Sequence, residues 1–140
     1  MNPQKDLKEG QAAILLLRAH LSAIKRVPTI LIVEDEGLDA ELLADALKGF
    51  KVNIEYCSTG KDALLRISRD RVDLVLLDMQ LPDLNGLEVL QAARTLPQFV
   101  VVTGSASEEQ KQEALRLGAL DVWHKPVTKE QLEAVFERVK

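Results

Sequence analysis

The sequence predicts an α/β fold in which a parallel sheet is wound on both faces by helices. Three observations carry that prediction. Short apolar runs such as Ile30-Leu31-Ile32-Val33, Leu74-Val75-Leu76-Leu77 and Phe99-Val100-Val101-Val102 recur without polar alternation. Such runs are too short for helices and read as strands buried on both faces, as in a parallel sheet. Between them lie segments with apolar residues at helical spacing, several opened by capping residues. Finally, the runs stop abruptly at polar residues: Glu34-Asp35-Glu36 after the first, Asp78 after the third and Thr103 after the fourth.

In order, residues 7–26 read as a helix closed by Pro28. Leu7, Ile14, Leu17, Leu21 and Ile24 fall on alternating seven-residue steps, with Gly10 in the one weak slot. That stripe must be covered, either by the protein's own domain or by the same helix of a second chain in a homodimer. Residues 25–28 make a linker, so the chain divides into an N-terminal helical extension and linker, residues 1–28, and a domain over residues 29–140. Thr29 to Val33 form the first strand. Leu38, Leu42, Leu43, Ala46 and Leu47 form the apolar face of the next helix, which Gly49 stops. Residues 52–57 give the second strand, and Ser58 or Thr59 caps a helix that ends near Asp70.

The third strand, Leu74 to Leu77, ends at Asp78, and Pro82, Asp83, Asn85 and Gly86 supply turn chemistry before a helix over residues 86–96. Asn85 stands one residue before the periodicity resumes and is the cap there, so Asp78 needs another explanation. Residues 99–103 are the fourth strand. Ser107-Glu108-Glu109-Gln110 resembles a capping box opening a helix that Gly118 ends. Residues 122–126 are the fifth strand, and Thr128 caps a last helix through Leu132, Val135 and Phe136. Five strands alternating with five helices fit a (βα)5 doubly wound sandwich.

Composition narrows the function classes. The chain has 140 residues, 46% hydrophobic and 29% charged, with a net charge of −4, which fits one globular domain with a real core. No Lys/Arg cluster indicates a nucleic-acid surface. The N-terminal apolar run, Ala12 to Leu17, is far shorter than the roughly 20 residues a membrane span needs. A single cysteine, Cys57, reads as a small buried hydrophobe and fits a reducing cytoplasm. Met1 with a helix of its own is read as a natural start.

Right-handed crossovers leave all strand C-termini along one edge. In the flavodoxin-like order 2-1-3-4-5, strands one and three are adjacent and the ligand crevice lies between them. Glu34, Asp35 and Asp78 then crowd one pocket, and like charges so close oppose one another's ionisation. A divalent cation removes the conflict. Hard oxygen ligands without a Cys/His cluster suit Mg2+ rather than zinc. Lys125 adds a positive charge and Thr103 a hydroxyl, and together they can hold the oxygens of a phosphoryl group on Asp78.

With those residues in place, residues 29–140 resemble the receiver domain of response regulators. Glu34-Asp35 resembles the family's acidic pair, and Leu76-Leu77-Asp78-Met79-Gln80-Leu81-Pro82-Asp83-Leu84-Asn85-Gly86 its phosphoacceptor strand and loop. Thr103-Gly104 matches its hydroxyl residue followed by a small one, and Lys125-Pro126 its lysine before a proline. The resemblance implies a signalling domain rather than an enzyme. Asp78 would take a phosphoryl group from a phosphohistidine on a sensor histidine kinase or histidine phosphotransfer protein. Asp35, Asp78 and the Gln80 carbonyl would hold Mg2+, with Glu34 acting directly or through water. Lys125 would pair with one phosphoryl oxygen and Thr103 would move to bond another, the Lys125–Pro126 peptide would be cis, and altered protein contacts would reach a downstream protein target.

Two features depart from the family. Val122 stands where an aromatic switch residue is usual, and Trp123, one residue later, points by strand alternation to the opposite face. The N-terminal helix is an addition. Four other readings compete with a stand-alone receiver. A haloacid-dehalogenase-like phosphatase needs a second Asp where Gln80 stands, and a nucleotide-binding flavodoxin-like protein needs a phosphate loop where Glu34-Asp35-Glu36 stands. A pseudo-receiver interaction module would lack the acceptor or the lysine. A receiver cut from a larger regulator or hybrid kinase would look the same over these residues.

Overall fold

The computed structural model describes residues 9–93 and 97–139. Five parallel strands, β1 (Thr29–Val33), β2 (Asn53–Cys57), β3 (Leu74–Leu77), β4 (Gln98–Thr103) and β5 (Asp121–His124), lie in the order β2-β1-β3-β4-β5. Six helices accompany them: α1 (Glu9–Ala23), α2 (Gly37–Leu47), α3 (Gly60–Arg69), α4 (Gly86–Ala93), α5 (Glu108–Arg116) and α6 (Lys129–Val135). The order is the expected one. Residues 94–96, the predicted last turn of α4, and Leu7 of the predicted N-terminal stripe lie outside the described residues.

Strand alternation sorts the core into two layers. Ile30, Ile32, Leu74, Leu76, Val100, Val102 and Trp123 point to the face covered by α1, α2 and α6. Leu31, Val33, Val75, Leu77, Phe99 and Val101 point to the face covered by α3, α4 and α5. Every residue of β3 is buried, which is why its sequence shows no alternation. Trp123 packs in the first layer and Val122 against the second, as alternation requires.

The caps form where the sequence places them. Thr59 Oγ1 accepts from the Asp62 N–H at 3.1 Å, and Ser107 and Thr128 each make a reciprocal capping box. Asn85 and Glu88 cap α4 reciprocally, Glu88 N–H to Asn85 Oδ1 at 2.9 Å and Asn85 N–H to Glu88 Oε1 at 3.2 Å. Gly118, at φ +111°, supplies the left-handed residue after α5.

One helix face differs from the expectation. Leu38 and Leu42 of α2 are exposed, at 68% and 57%, and Ala46 is exposed too. The buried stripe of α2 is Ala40, Leu43, Ala44 and Leu47, the i, i+3, i+4, i+7 set. Leu38, Leu42 and Ala46 instead run along the helix at i, i+4, i+8 on the solvent side. The fifth strand also ends two residues earlier than predicted, at His124, so Lys125 follows β5 rather than closing it.

The stripe of α1 is covered by the protein itself. Ile14, Leu17 and Leu21 are buried in the first core layer, with Ile24 packed against it. The helix lies on α6 and β5. Arg18 Nη1 donates to the α6 carbonyls of Glu133, at 2.6 Å, and Phe136, at 3.3 Å. Gly10 is the weak slot for a physical reason: a Cβ there would stand 2.7 Å from Asp121 Oδ1 at the start of β5. The described part of the stripe is therefore packed on the protein's own domain.

Arg26, at the end of the linker, forms a two-pronged pair with the buried Asp73, which also accepts from the Thr29 N–H at 2.8 Å. Burial alone would raise the Asp73 carboxyl, but the hydrogen bonds from Arg26 and Thr29 outweigh it and hold the group below its usual range.

Truncating the buried Leu17 to alanine should cost about 2–5 kcal/mol in urea unfolding, and the same change at the exposed Leu16 should stay within about 0.5 kcal/mol of the parent. Equal losses at both positions would contradict the docked position of α1. A carboxyl lowered by folding adds stability above its unfolded value and loses it as pH falls through the folded value. Asp73→Asn should therefore be less stable than the parent at neutral pH, and the difference should shrink as pH falls below about 4. A difference independent of pH would contradict the ion pair.

Candidate functional site

The site lies beyond the C-terminal ends of β1, β3 and β4. Val33 pairs with Leu77 in the β1–β3 register, so Glu34 and Asp78, the next residue of each chain, leave the sheet side by side. The backbone ladder continues past the strands, with the Asp78 N–H on the Val33 carbonyl at 3.0 Å and the Glu34 N–H on the Cys57 carbonyl at 3.1 Å. Both acids continue the rows of Ile32 and Leu76, on the face that α2 covers. Glu34 is 4% and Asp78 5% exposed. Asp35 points to solvent, yet one oxygen from each of Glu34, Asp35 and Asp78 lies within 4.8 Å of the others.

Lys125 comes from the far side of the sheet. Thr103 pairs with His124, and the Lys125 N–H donates to the Thr103 carbonyl at 2.9 Å. The Lys125–Pro126 peptide is cis, as expected. Lys125 Nζ stands 2.6 Å from Glu34 Oε2, 3.0 Å from Asp39 Oδ2 and 3.6 Å from Asp78 Oδ2. Burial pushes the Glu34 carboxyl up to about 7; the Asp78 carboxylate adds to the rise, and Lys125 and the Glu36 N–H oppose it. Burial alone would lower the Lys125 ammonium, but its hydrogen bonds to Glu34 and Asp39 and the charge of Asp78 outweigh it and raise the group. The two shifts differ in cause: burial dominates that of Glu34, whereas the carboxylates gathered around one ammonium dominate that of Lys125.

The loop after β3 is held from two sides. Asp78 Oδ1 accepts from the Gln80 N–H at 3.3 Å, and Gln80, itself exposed, faces Asn85 across a bridge. Gly86 N–H donates to the Met79 carbonyl at 2.8 Å, and a Cβ on Gly86 would sit 2.8 Å from the Asp78 carbonyl oxygen. Only glycine admits that approach. Asp83 fastens the loop to the start of α3, accepting from the N–H groups of Gly60 at 2.8 Å and Lys61 at 2.9 Å.

The structure thus brings Glu34, Asp35, Asp78 and Lys125 together, with the Gln80 backbone at their rim. Thr103 is 1% exposed, but its hydroxyl donates to the Ser105 carbonyl at 3.0 Å, within its own loop. Cys57 is buried, and burial pushes its thiol up to about 11, so it behaves as the small hydrophobe expected. Asp39 is the residue sequence reasoning misses. An acid in the first turn of a helix reads as a partner for the helix dipole. The available signal was its place one turn after Asp35, on a helix that covers the face Lys125 uses.

The donor set fits a hard divalent cation: three carboxylate oxygens, with no thiol or imidazole among them. Among the described residues, no helix is long and apolar enough to cross a membrane.

Comparison with known proteins agrees with this geometry. The family model described as response regulator receiver domain matches residues 30–137. Sensor histidine kinase RcsC of Salmonella typhimurium is 36% identical over 119 residues, covering 79% of this chain and 12% of that protein. Signal transduction histidine-protein kinase BarA of Escherichia coli K12 is 29% identical over 121 residues, 83% of this chain and 13% of that protein. The chain therefore spans about an eighth of the length of these relatives. Among solved structures, a CheY-like response regulator receiver domain protein from Methanospirillum hungatei JF-1 superposes with a TM-score of 0.71 at 31% identity, over 76% of this chain and 88% of that one. A match over most of the chain, on a sheet of this order with acids and a lysine at its crevice, shows that the protein belongs to the response regulator receiver domain family.

Proposed function

We propose that this receiver takes a phosphoryl group from a phosphohistidine onto Asp78 and passes the change on through altered protein contacts. The observation that carries the reading is Lys125 Nζ, 3.6 Å from Asp78 Oδ2 and 2.6 Å from Glu34, at the rim of a three-carboxylate cluster. An Asp78 carboxylate oxygen forms the new O–P bond as the P–N bond of the phosphohistidine breaks, and the leaving imidazole takes a proton from solvent. Glu34, Asp35, Asp78 and the Gln80 carbonyl would hold Mg2+. When bound, it would neutralise charge on the transferring group. Lys125 donates to a phosphoryl oxygen, and Thr103 exchanges its Ser105 partner for another.

The chain acts here as a phosphoacceptor rather than an enzyme, in the cytoplasm. We divide it into the extension 1–28 and the receiver 29–140, a division supported by the family match over residues 30–137. The phosphodonor is a histidine kinase or a histidine phosphotransfer protein. The exposed Leu42 lines a groove of about 490 Å3 with Glu34, Asp39 and Lys125, the exposed Leu38 stands one turn earlier on the same helix, and an apolar partner surface brought to Asp78 would cover the groove. A second arrangement, the same receiver as part of a hybrid kinase, is supported by the kinases it resembles. A pseudo-receiver is disfavoured, since acceptor, acids and lysine are all brought together.

Incubated with Mg2+ and acetyl phosphate, the protein should gain one acid-stable, base-labile phosphoryl group, the signature of an acyl phosphate, and Asp78→Asn should gain none. Intact-mass measurement before and after base treatment reads this directly. Equal labelling of both proteins would contradict Asp78 as the acceptor.

A further inference from the structure

One carboxylate at the site has no part in the reading above. Asp39 belongs to α2, lies outside the cluster of Glu34, Asp35 and Asp78, and reaches the site only through Lys125. The ammonium has three N–H groups. Glu34 at 2.6 Å and Asp39 at 3.0 Å occupy the two close positions, and Asp78 is left the distant one at 3.6 Å.

We propose that Asp39 is a positioning residue that holds Lys125 back from Asp78 and so lowers the site's affinity for a phosphoryl group. The inference rests on the phosphoacceptor reading and adds a regulator to it. A phosphoryl group on Asp78 is bound by turning the ammonium toward its oxygens, and the hydrogen bond to Asp39 opposes that turn. No other side chain among the described residues pairs with Asp39, so the turn leaves its carboxylate to water alone. Its location decides the size of the effect. The Asp39 side chain is 39% exposed, against 6% for Asp78 and for Glu34, so water screens the pair and the tether is modest. It therefore adjusts the occupancy of the phosphorylated state without preventing it. Leu42, exposed on the same helix, lines the same groove as Asp39, so a partner seated in that groove also reaches Asp39.

The test uses the full chain with saturating Mg2+ and titrates beryllofluoride, a phosphoryl mimic, by calorimetry. Asp39→Asn should bind it about two- to fivefold more tightly than the parent, the range of a partly screened ion pair. Asp39→Glu keeps the carboxylate and should restore parental affinity. Glu41→Gln removes one charge from the exposed side of the same helix without touching Lys125, and should leave affinity unchanged. Unchanged or weaker binding by Asp39→Asn would overturn the proposal, as would equal tightening by Glu41→Gln, which would make the effect one of net charge. Failure of the parent itself to bind beryllofluoride would overturn the phosphoacceptor reading, and this inference with it.

Discussion

The ammonium of Lys125 is the group on which the site depends. Glu34 and Asp78 are almost wholly buried on adjacent strands, and buried carboxylates cost several kcal/mol each when left unpaired. The β1–β3 register makes them neighbours, and the β4–β5 register delivers the one cation that meets both. The carboxylates around Lys125 raise its ammonium, while burial raises the carboxyl of Glu34. Three carboxylate oxygens gathered this closely suit a divalent cation.

The N-terminal helix changes how the rest of the domain presents itself. Docked through Ile14, Leu17 and Leu21, α1 adds to one core layer and packs against β5 and α6. Arg18 on the last carbonyls of α6 and Arg26 on Asp73 fasten it at two separated points. Because β5 runs directly into Lys125, any rearrangement of that strand has to move against a helix that most of the fold does not require. The surface left open beside the site is instead that of α2, where Leu38 and Leu42 face solvent.

Much of this was legible in the sequence because it rests on local rules. Buried strands announce themselves by unbroken apolar runs, and the caps at Thr59, Asn85, Ser107 and Thr128 by polar side chains placed just before a helix. The residues at the strand ends followed once the topology was known. What escaped depended on helical phase and on distance across the sheet. The buried stripe of α2 is half alanine, so the predicted face keeps Leu43 and Leu47 but takes in the larger, exposed Leu38 and Leu42 in place of Ala40 and Ala44. Asp39 escaped because its partner is 86 residues away and its position has a sufficient local explanation in the helix dipole. The present partner of the Thr103 hydroxyl, the Ser105 carbonyl, is a matter of loop conformation that no spacing encodes.

The most direct test of the account is a calorimetric Mg2+ titration of three proteins: the parent, Lys125→Met and Asp35→Asn. If Lys125 is the charge that offsets the carboxylates, removing it leaves them to the metal, and Lys125→Met should bind Mg2+ more tightly than the parent. Asp35→Asn, which loses a ligand, should bind more weakly. No measurable binding by the parent, or binding that Lys125→Met weakens, would contradict the account.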